Sequence, residues 1–297
     1  MRTSLLVATT VAALAACTVV QASDRNSDQQ VSAEPRGTVE VSNFSGRIDV
    51  SGWDQPQVSV HANLSSDVNN VDVRSDHGRT IVNVRMHGMS FSGGEADLTI
   101  KIPKGSELDV TSVSADVSSK GITGAQRLKT VSGSIKADFS QSDVEAKTVS
   151  GSVFLRGDGK PASVHVTSIS GSIRVEHGAG DLEATTVSGD LDVQTDPGRS
   201  LRVRTTSGRM YILGKLSKDA DVDAQTVSGD VKLHATPEGG YDYELSTFSG
   251  DIRNCFNLEP EKTSRYGPGE RLSGSRGSGA GHVRVKTMSG QIDICDK

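Results

Sequence analysis

The sequence is short of aromatic side chains, of helical periodicity and of excess positive charge. Aromatic residues make up 4% of the 297 positions, and there is one Trp. A core must therefore be built from small aliphatic side chains, which is unusual for an ordinary enzyme domain. Lys and Arg number 32 against 37 Asp and Glu, a net charge of −5. This balance leaves no basic footprint for nucleic acid.

The N-terminus has the features of an export signal. Arg2 precedes the largely apolar run Leu5–Ala16, which is too short for a membrane-spanning helix. "LAAC" at 14–17 resembles a bacterial lipobox, so we predict a lipoprotein signal over residues 1–16 and lipidation of Cys17. The alternative is ordinary cleavage after "VQA", before Ser23, which would release a soluble periplasmic or secreted protein. Residues 17–36 are polar and aperiodic, which predicts a disordered tether.

Beyond residue 37 the chain alternates polar and apolar residues, as in "TVEVSNFSGRIDV" and "ADLTIKIP", which indicates β-strands. A Thr-Val-Ser-Gly motif recurs every 18 to 21 residues and once more after 40. Its glycines are Gly133, Gly151, Gly171, Gly189, Gly208, Gly229, Gly250 and Gly290. This period predicts an all-β, single-stranded, right-handed parallel β-solenoid over residues 37–297, with an irregular N-terminal β region.

Alternation changes phase across the motif, so we expect a corner or bulge there with Gly as its permissive residue. Stacking of corners aligns like residues in rows. We expect an inward apolar row from the Val slot, and hydroxyls that hydrogen-bond along the Thr and Ser rows. The apolar row is Val131, Val149, Ile169, Val187, Thr206, Val227, Phe248 and Met288.

The same motif also allows two catalytic interpretations. The serines lack a histidine in a matching slot, so a nucleophile array is disfavoured. The slot after Gly holds several aspartates, of which Asp230 and Asp251 are expected to be neighbours and could serve an acid-dependent enzyme or calcium. Aspartates are common at turns, and we predict no catalytic residue, metal or cofactor.

Sugar binding usually needs exposed aromatic platforms. The aromatic candidates are Trp53, Phe154, Tyr211, Tyr241 and Tyr243, which are too sparse to predict a groove. Residues 256–281 are rich in Gly but lack the Gly-Lys-Ser/Thr ending of a phosphate loop. We predict an inserted surface loop there.

Cys255 and Cys295 each lie five residues after a corner glycine. Matching slots of stacked coils place Cα atoms within disulfide range, and export favours oxidation. We therefore predict a disulfide bond between them.

From about Gly37 to Lys297, "VEVSNFSGRIDVSGW", the repeated "TVSGD" and the closing "VKTMSGQIDI" resemble the bacterial β-strand-repeat family DUF4097, whose members carry an adhesin label. The resemblance implies a repeat fold but supplies no catalytic residues.

The sequence thus predicts a non-catalytic β-solenoid of the cell envelope, adhesin-like or scaffolding. It would be held to the membrane by lipid and would bind a glycan or protein partner. The alternative is a carbohydrate-binding or carbohydrate-active β-helix.

Overall fold

The computed structural model describes residues 25–86, 94–237, 239–264, 267–278 and 280–295. The described residues form β-strands and turns, and none of them belongs to a helix that is long and apolar enough to cross a membrane. The predicted signal over residues 1–16 and Cys17 lie outside the described residues. The all-β prediction is confirmed.

The strands, in chain order, are β1 (Arg25–Ser32), β2 (Thr38–Trp53), β3 (Gln57–Leu64), β4 (Val68–Asp76), β5 (Arg79–Met86), β6 (Ala96–Pro103), β7 (Glu107–Lys120), β8 (Gln126–Lys129), β9 (Ile135–Asp138), β10 (Val144–Lys147), β11 (Val153–Arg156), β12 (Pro161–Thr167), β13 (Ile173–Ser188), β14 (Leu191–Ser207), β15 (Met210–Ser228), β16 (Val231–Pro237), β17 (Gly240–Ser249), β18 (Ile252–Asn254), β19 (Glu261–Lys262), β20 (Glu270–Gly277), β21 (Gly281–Ser289) and β22 (Ile292–Ile294).

The strands form two faces that meet at the Thr-Val-Ser-Gly corner, as in a β-solenoid. The front face contains the segments before each corner, paired in the order β4–β5–β2–β7–β8–β10–β12–β13–β14–β15–β21–β17–β20–β19. The back face contains the segments after it, in the order β1–β3–β6–β2–β7–β9–β11–β13–β14–β15–β16–β22–β18. Long strands such as β2 and β7 run through the corner and belong to both faces.

Parallel pairing keeps equivalent residues in register from coil to coil. Val144 of β10 is opposite Gln126 on one side and Val164 on the other, offsets of 18 and 20 residues. Side chains that point between the faces form the core, and they are mostly Val, Ile, Leu and Ala with about 0–5% exposure. The small-residue core that the composition predicts is therefore present, and each coil contributes a thin slice of it.

The C-terminal coil does not stack in sequence order. Strand β21 lies between β15 and β17 on the front face, and β22 lies between β16 and β18 on the back face. The corner of Gly290 therefore separates those of Gly229 and Gly250, and the prediction that Asp230 and Asp251 are neighbours is wrong. Any coil offers the same hydrogen-bonding edge, so local pattern does not determine this order.

The segment predicted as a Gly-rich surface loop over 256–281 contains strands β19 and β20. Strand β20 pairs antiparallel with β17 from Gly240–Gly277 to Thr247–Glu270, and so covers the outer edge of the front face. A free edge strand exposes unpaired backbone groups, and the antiparallel strand satisfies those of β17. Leu272 is the one buried apolar residue of β20, and polar residues and glycines surround it, so the sequence lacks the alternation that predicts a strand.

The N-terminal end is closed in a similar way. Residues 17–36 were predicted to be a tether, yet Arg25–Ser32 forms β1, which pairs antiparallel with β3. Polar residues dominate β1 because it is an outermost strand, so its sequence lacks the apolar alternation that predicts a strand. Strands β3 to β6 form the irregular N-terminal β region that was expected.

A disulfide bond joins Cys255 and Cys295, with Cα atoms 5.1 Å apart. Cys255 N–H donates to the carbonyl of Ile294, so the two segments are also paired through the backbone (3.2 Å). The bond closes a separation of 40 residues. It ties the inserted coil to the outermost one, and chain-entropy reasoning gives it roughly 3 to 4 kcal/mol.

The inserted strand order can be tested by cross-linking. In the structure Gln225 is opposite Lys286, and Lys286 is opposite Ser246. We expect the double variant Gln225→Cys, Lys286→Cys to be bridged by a bifunctional thiol reagent that reaches about one strand spacing, ~4.8 Å. Gln225→Cys, Ser246→Cys is the matched control, because those positions are two spacings apart. Bridging of the control pair alone would show that the coils stack in sequence order.

Candidate interaction surface at the coil corner

The first residue of each repeated corner points inward, and six of these eight hydroxyls donate to a backbone carbonyl of the neighbouring coil. The hydroxyls of Thr205 and Thr226 are buried without a hydrogen-bond partner among the described residues. Thr148, Thr186 and Thr247 are buried, and their hydroxyls donate to the carbonyls of Gly133, Gly171 and Gly290, each at 3.3 Å. The expected bonding between hydroxyls along the Thr row is therefore replaced by bonds to backbone. Thr is suited to this slot because it fills the core edge and satisfies a buried carbonyl.

The glycine slot is where consecutive corners come closest. A Cβ added to Gly189 would overlap the carbonyl oxygen of Gly171 in the preceding coil. Gly229 has the same problem against Gly208, and its φ of +157° is strained for other residues. The sequence prediction of glycine as the corner residue agrees with this geometry.

The Val slot was predicted to face the core, and the structure places it on the surface. Its Val and Ile side chains are 39–48% exposed, Met288 is 59% exposed and Phe248 is 70% exposed. The preceding Thr takes the inward position, so the alternation continues through Thr and the phase change falls after the Val slot instead of before it. We call this row the ridge. In stacking order it contains Phe44, Val113, Val131, Val149, Ile169, Val187, Thr206, Val227, Met288 and Phe248.

The fold does not require the ridge to be apolar. Thr206 occupies the same exposed slot without disturbing the pairing of β14 with β15. The next slot is also exposed, and it is serine in every coil of the ridge, from Ser45 to Ser249. Stacked β-branched side chains stabilise one another at strand spacing. That contact still leaves roughly half of each side chain in water, which is typical of a binding surface when it recurs contiguously.

The front side of the ridge is basic. The outward slot that precedes each Thr holds cations and neutral residues but no acid in the described coils. The cations are Lys129, Lys147, Arg204 and Lys286. Lys147 pairs with Glu145, and Arg204 pairs with Asp223 at 3.2 Å. Lys286 forms no ion pair within the described residues.

The back side of the ridge is acidic by a small margin, because the slot after each corner Gly holds four aspartates, two arginines and four uncharged residues. Three of the aspartates bond to backbone. Asp116, Asp190 and Asp230 accept hydrogen bonds from the N–H groups of Ser134, Arg209 and Gln291, at 2.8, 2.9 and 2.9 Å. Each bond joins one coil to the next coil in the stack. Of the two carboxylates that the sequence offered as a catalytic or calcium site, that of Asp230 thus connects coils, and that of Asp251 has no hydrogen bond or ion pair among the described residues.

The pKa of three carboxyl groups, Asp190 in this row and Glu145 and Asp158 elsewhere, is lowered by neighbouring cations. The hydrogen bond from the Arg209 side chain, 2.7 Å away, holds the pKa of Asp190 below its usual range. Glu145 and Asp158 are lowered in pKa by hydrogen bonds from Lys147 and Lys160. A general acid needs the opposite shift, so these groups are unsuited to that role.

The histidines that the structure describes pair with carboxylates or lie away from the serine row. In the described part of the chain, His61, His165 and His177 are placed beside Asp28, Glu183 and Asp196. No group of three His, Cys, Asp or Glu side chains among the described residues is arranged to hold a metal ion.

The aromatic candidates do not form a sugar-binding groove. Tyr241 and Tyr243 are 4% exposed and belong to the core. Phe154 and Tyr211 do lie in one outward row of the back face, but Arg174 and Asp192 stand between them. They are about three strand spacings apart, ~14 Å.

Two depressions lie near the C-terminal end of the described chain. One, of about 420 Å³, adjoins the ridge between Val227, Met288 and Phe248. The other, of about 550 Å³, is on the front face and is lined by opposing charges that include Asp223, Glu244 and Arg284. Glu244 already pairs with both Arg271 and Arg284, at 3.1 and 3.3 Å. The charged depression is thus occupied by internal ion pairs, whereas the apolar depression adjoins the ridge and enlarges its exposed apolar surface.

Stacked coils, a repeated corner and an exposed row define a β-solenoid-like repeat protein. The family model described as Toastrack DUF4097 matches residues 54–295. This is most of the chain, so the chain belongs to the Toastrack DUF4097 family, as the sequence resemblance implies. No curated protein matches it significantly.

Several solved structures are similar over nearly their whole length. A candidate adhesin from Bacteroides fragilis is 11% identical with a TM-score of 0.41, covering 92% of this chain and 99% of that one. A candidate adhesin from Parabacteroides merdae is 7% identical with a TM-score of 0.38, covering 91% and 96%. A candidate lipid binding protein from Parabacteroides distasonis is 10% identical with a TM-score of 0.36, also covering 91% and 96%.

The corner can be tested by paired substitutions. We expect Gly189→Val to lower the free energy of unfolding by roughly 1 to 3 kcal/mol, because its side chain meets the backbone of the preceding coil. Ser188→Ala, one position earlier and exposed, should cost less than about 1 kcal/mol. Denaturant unfolding measures both, and equal losses would mean that the glycine is not the point of close approach.

Proposed function

We propose that the protein is a non-catalytic, adhesin-like or scaffolding component of the cell envelope that binds its partner through the ridge. The observation that carries this proposal is the exposure of nine large apolar side chains in one row, which Thr206 alone interrupts within the described coils. Contiguous apolar surface of this kind is a common mark of a protein interaction site. Three of the aspartates that an acid-dependent enzyme could use, Asp116, Asp190 and Asp230, hold neighbouring coils together.

The solenoid provides a stiff support for such a row. We infer that the coils wind right-handedly, with about 18 to 21 residues each, because crossovers between parallel strands take this hand in nearly all sheets. Stiffness matters for binding because an ordered surface loses little conformational entropy when a partner docks. A carbohydrate partner is less favoured, since the exposed aromatics Phe154 and Tyr211 are widely separated.

Use of the ridge can be measured in intact cells. A single Val187→Cys variant should react with a small maleimide when purified and dilute, and should be several-fold protected in the envelope. Lys218→Cys, exposed in the part of β15 that passes from the back face to the front face, is the matched control and should react equally in both settings. Equal reactivity of Val187→Cys in both settings would contradict ridge binding. A glycan array with the same purified protein tests the carbohydrate alternative.

We also propose that Cys17 carries the lipid that holds the protein at the membrane, because "LAAC" precedes a polar stretch. Acyl chains contribute about 0.8 kcal/mol per buried CH₂, so two or more anchor stably. Metabolic labelling with palmitate should mark the wild type and not Cys17→Ala. An unlabelled mature protein that begins at Ser23 would instead show ordinary signal-peptidase cleavage and a soluble exported product.

A further inference from the structure

We propose that the partner of the ridge is a second copy of this chain, packed corner to corner with the two solenoid axes parallel and pointing the same way. The inference rests on the proposed function, because it names the partner of the same surface. It is carried by the spacing, size, shape and charge of the corner edge.

The first argument is spacing. Ridge side chains recur once per coil because the parallel strands pair in register, so their separation is fixed near the strand spacing, about 4.8 Å. A partner that contacts the ridge over ten coils must repeat at the same interval. A second copy satisfies this condition without further adjustment, whereas an unrelated globular surface would fall out of step within a few coils.

The second argument is size. The exposed fractions of the nine apolar side chains correspond to on the order of 700 Å² per copy, before the adjoining serines are counted. A standard protein interface buries about 800 Å² on each partner. The corner edge is therefore large enough for a specific dimer.

The third argument is shape. Along each corner the ridge residue lies nearer the front face, and the following serine lies nearer the back face, as in Val187 and Ser188. A two-fold axis parallel to the solenoid exchanges left and right, so the ridge of one copy packs over the small serines of the other. A two-fold axis perpendicular to the solenoid would instead set ridge against ridge and leave the serines facing a gap. Close packing favours the parallel arrangement.

The fourth argument is charge. In the parallel arrangement, the basic front side of one copy faces the acidic back side of the other. In the antiparallel one, each side faces its own sign, which costs binding energy. Arg47 and Arg209 dilute the acidic side, and several charges are paired within the chain. Lys286, Asp230 and Asp251 have no ion pair in the described residues, so their charges favour the parallel over the antiparallel arrangement most clearly. These aspartates also disfavour insertion of the ridge into a bilayer.

Cysteine cross-linking in intact cells tests the dimer and its orientation together. Val131 and Val227 are third and eighth of the ten ridge positions in stacking order. Parallel copies place each of these positions at the same height as its counterpart, diagonally across the interface and within reach of a bifunctional thiol reagent. The single variants Val131→Cys and Val227→Cys should therefore each give cross-linked homodimers in the full-length exported chain. Antiparallel copies would bring position 131 onto position 227, so only a mixture of the two variants would cross-link.

Wild type and Lys218→Cys are the controls and should give no dimer. Cross-links found only in the mixture would overturn the orientation. Protection of Val187→Cys from maleimide without any self-cross-link would overturn the dimer while leaving ridge binding intact, and loss of both signals would overturn both proposals. Adducts of ridge cysteines with other proteins or lipids alone would also exclude a second copy as the partner.

A charge-reversal pair gives an independent test. Lys286 faces the acidic side of the partner one coil away from Asp251, and both side chains are exposed. Lys286→Glu should lower the Val131→Cys cross-linking yield roughly threefold, since like charges then oppose each other. Asp251→Lys should lower it similarly, and the double variant should restore it. Yields that are unchanged, or additive losses without rescue, would contradict the proposed contact.

Discussion

In-register parallel hydrogen bonding between coils is the constraint on which the rest of the structure depends. Because Val144 is held opposite Gln126 and Val164, each slot of the repeat lies directly beside the same slot in the coils next to it. A residue type that recurs in one slot of the repeat therefore forms a continuous row along the stack. Inward slots give a core of small aliphatic side chains, and outward slots give the ridge and its two charged sides. Interaction between like neighbours at strand spacing is consequently the energy term that shapes both interior and surface.

The same equivalence of coils explains how the C-terminal segment can be inserted. The edge of β15 and β16 can pair with β21 and β22 as well as with β17 and β18, because every coil presents the same pattern of backbone donors and acceptors. Insertion leaves the coil of β17 and β18 outermost, where β20 covers the front edge and the Cys255–Cys295 bond secures the back. An exposed parallel edge invites pairing with other chains, and these features limit it.

Local features of the fold could be predicted from sequence, and non-local ones could not. Two-residue alternation and the recurring glycines predict the strands, the period and the corner, since each follows from a few neighbouring residues. The outward direction of Val187 was missed because the change of phase can fall on either side of it. The alternation in fact continues through Thr186, which is buried and donates its hydroxyl to a carbonyl of another coil, and the phase changes only after Val187. Strand order at the C-terminus and the pairing of β1 depend on distant segments, which periodicity does not specify.

The fold does not require the ridge to be apolar, so the proposed function depends on the interval between ridge side chains and not on a catalytic group. Thr206 shows that a polar side chain is compatible with the slot, so the apolar character of the other nine residues is what the proposed contact of the ridge would explain. A single exposed Val would bind weakly and without selectivity. Nine or so on a stiff support act together, and a partner gains from all of them only if its own contacts repeat at the strand spacing. Selectivity in such a surface comes from this matching of intervals, with the charged sides deciding the direction in which the partner lies.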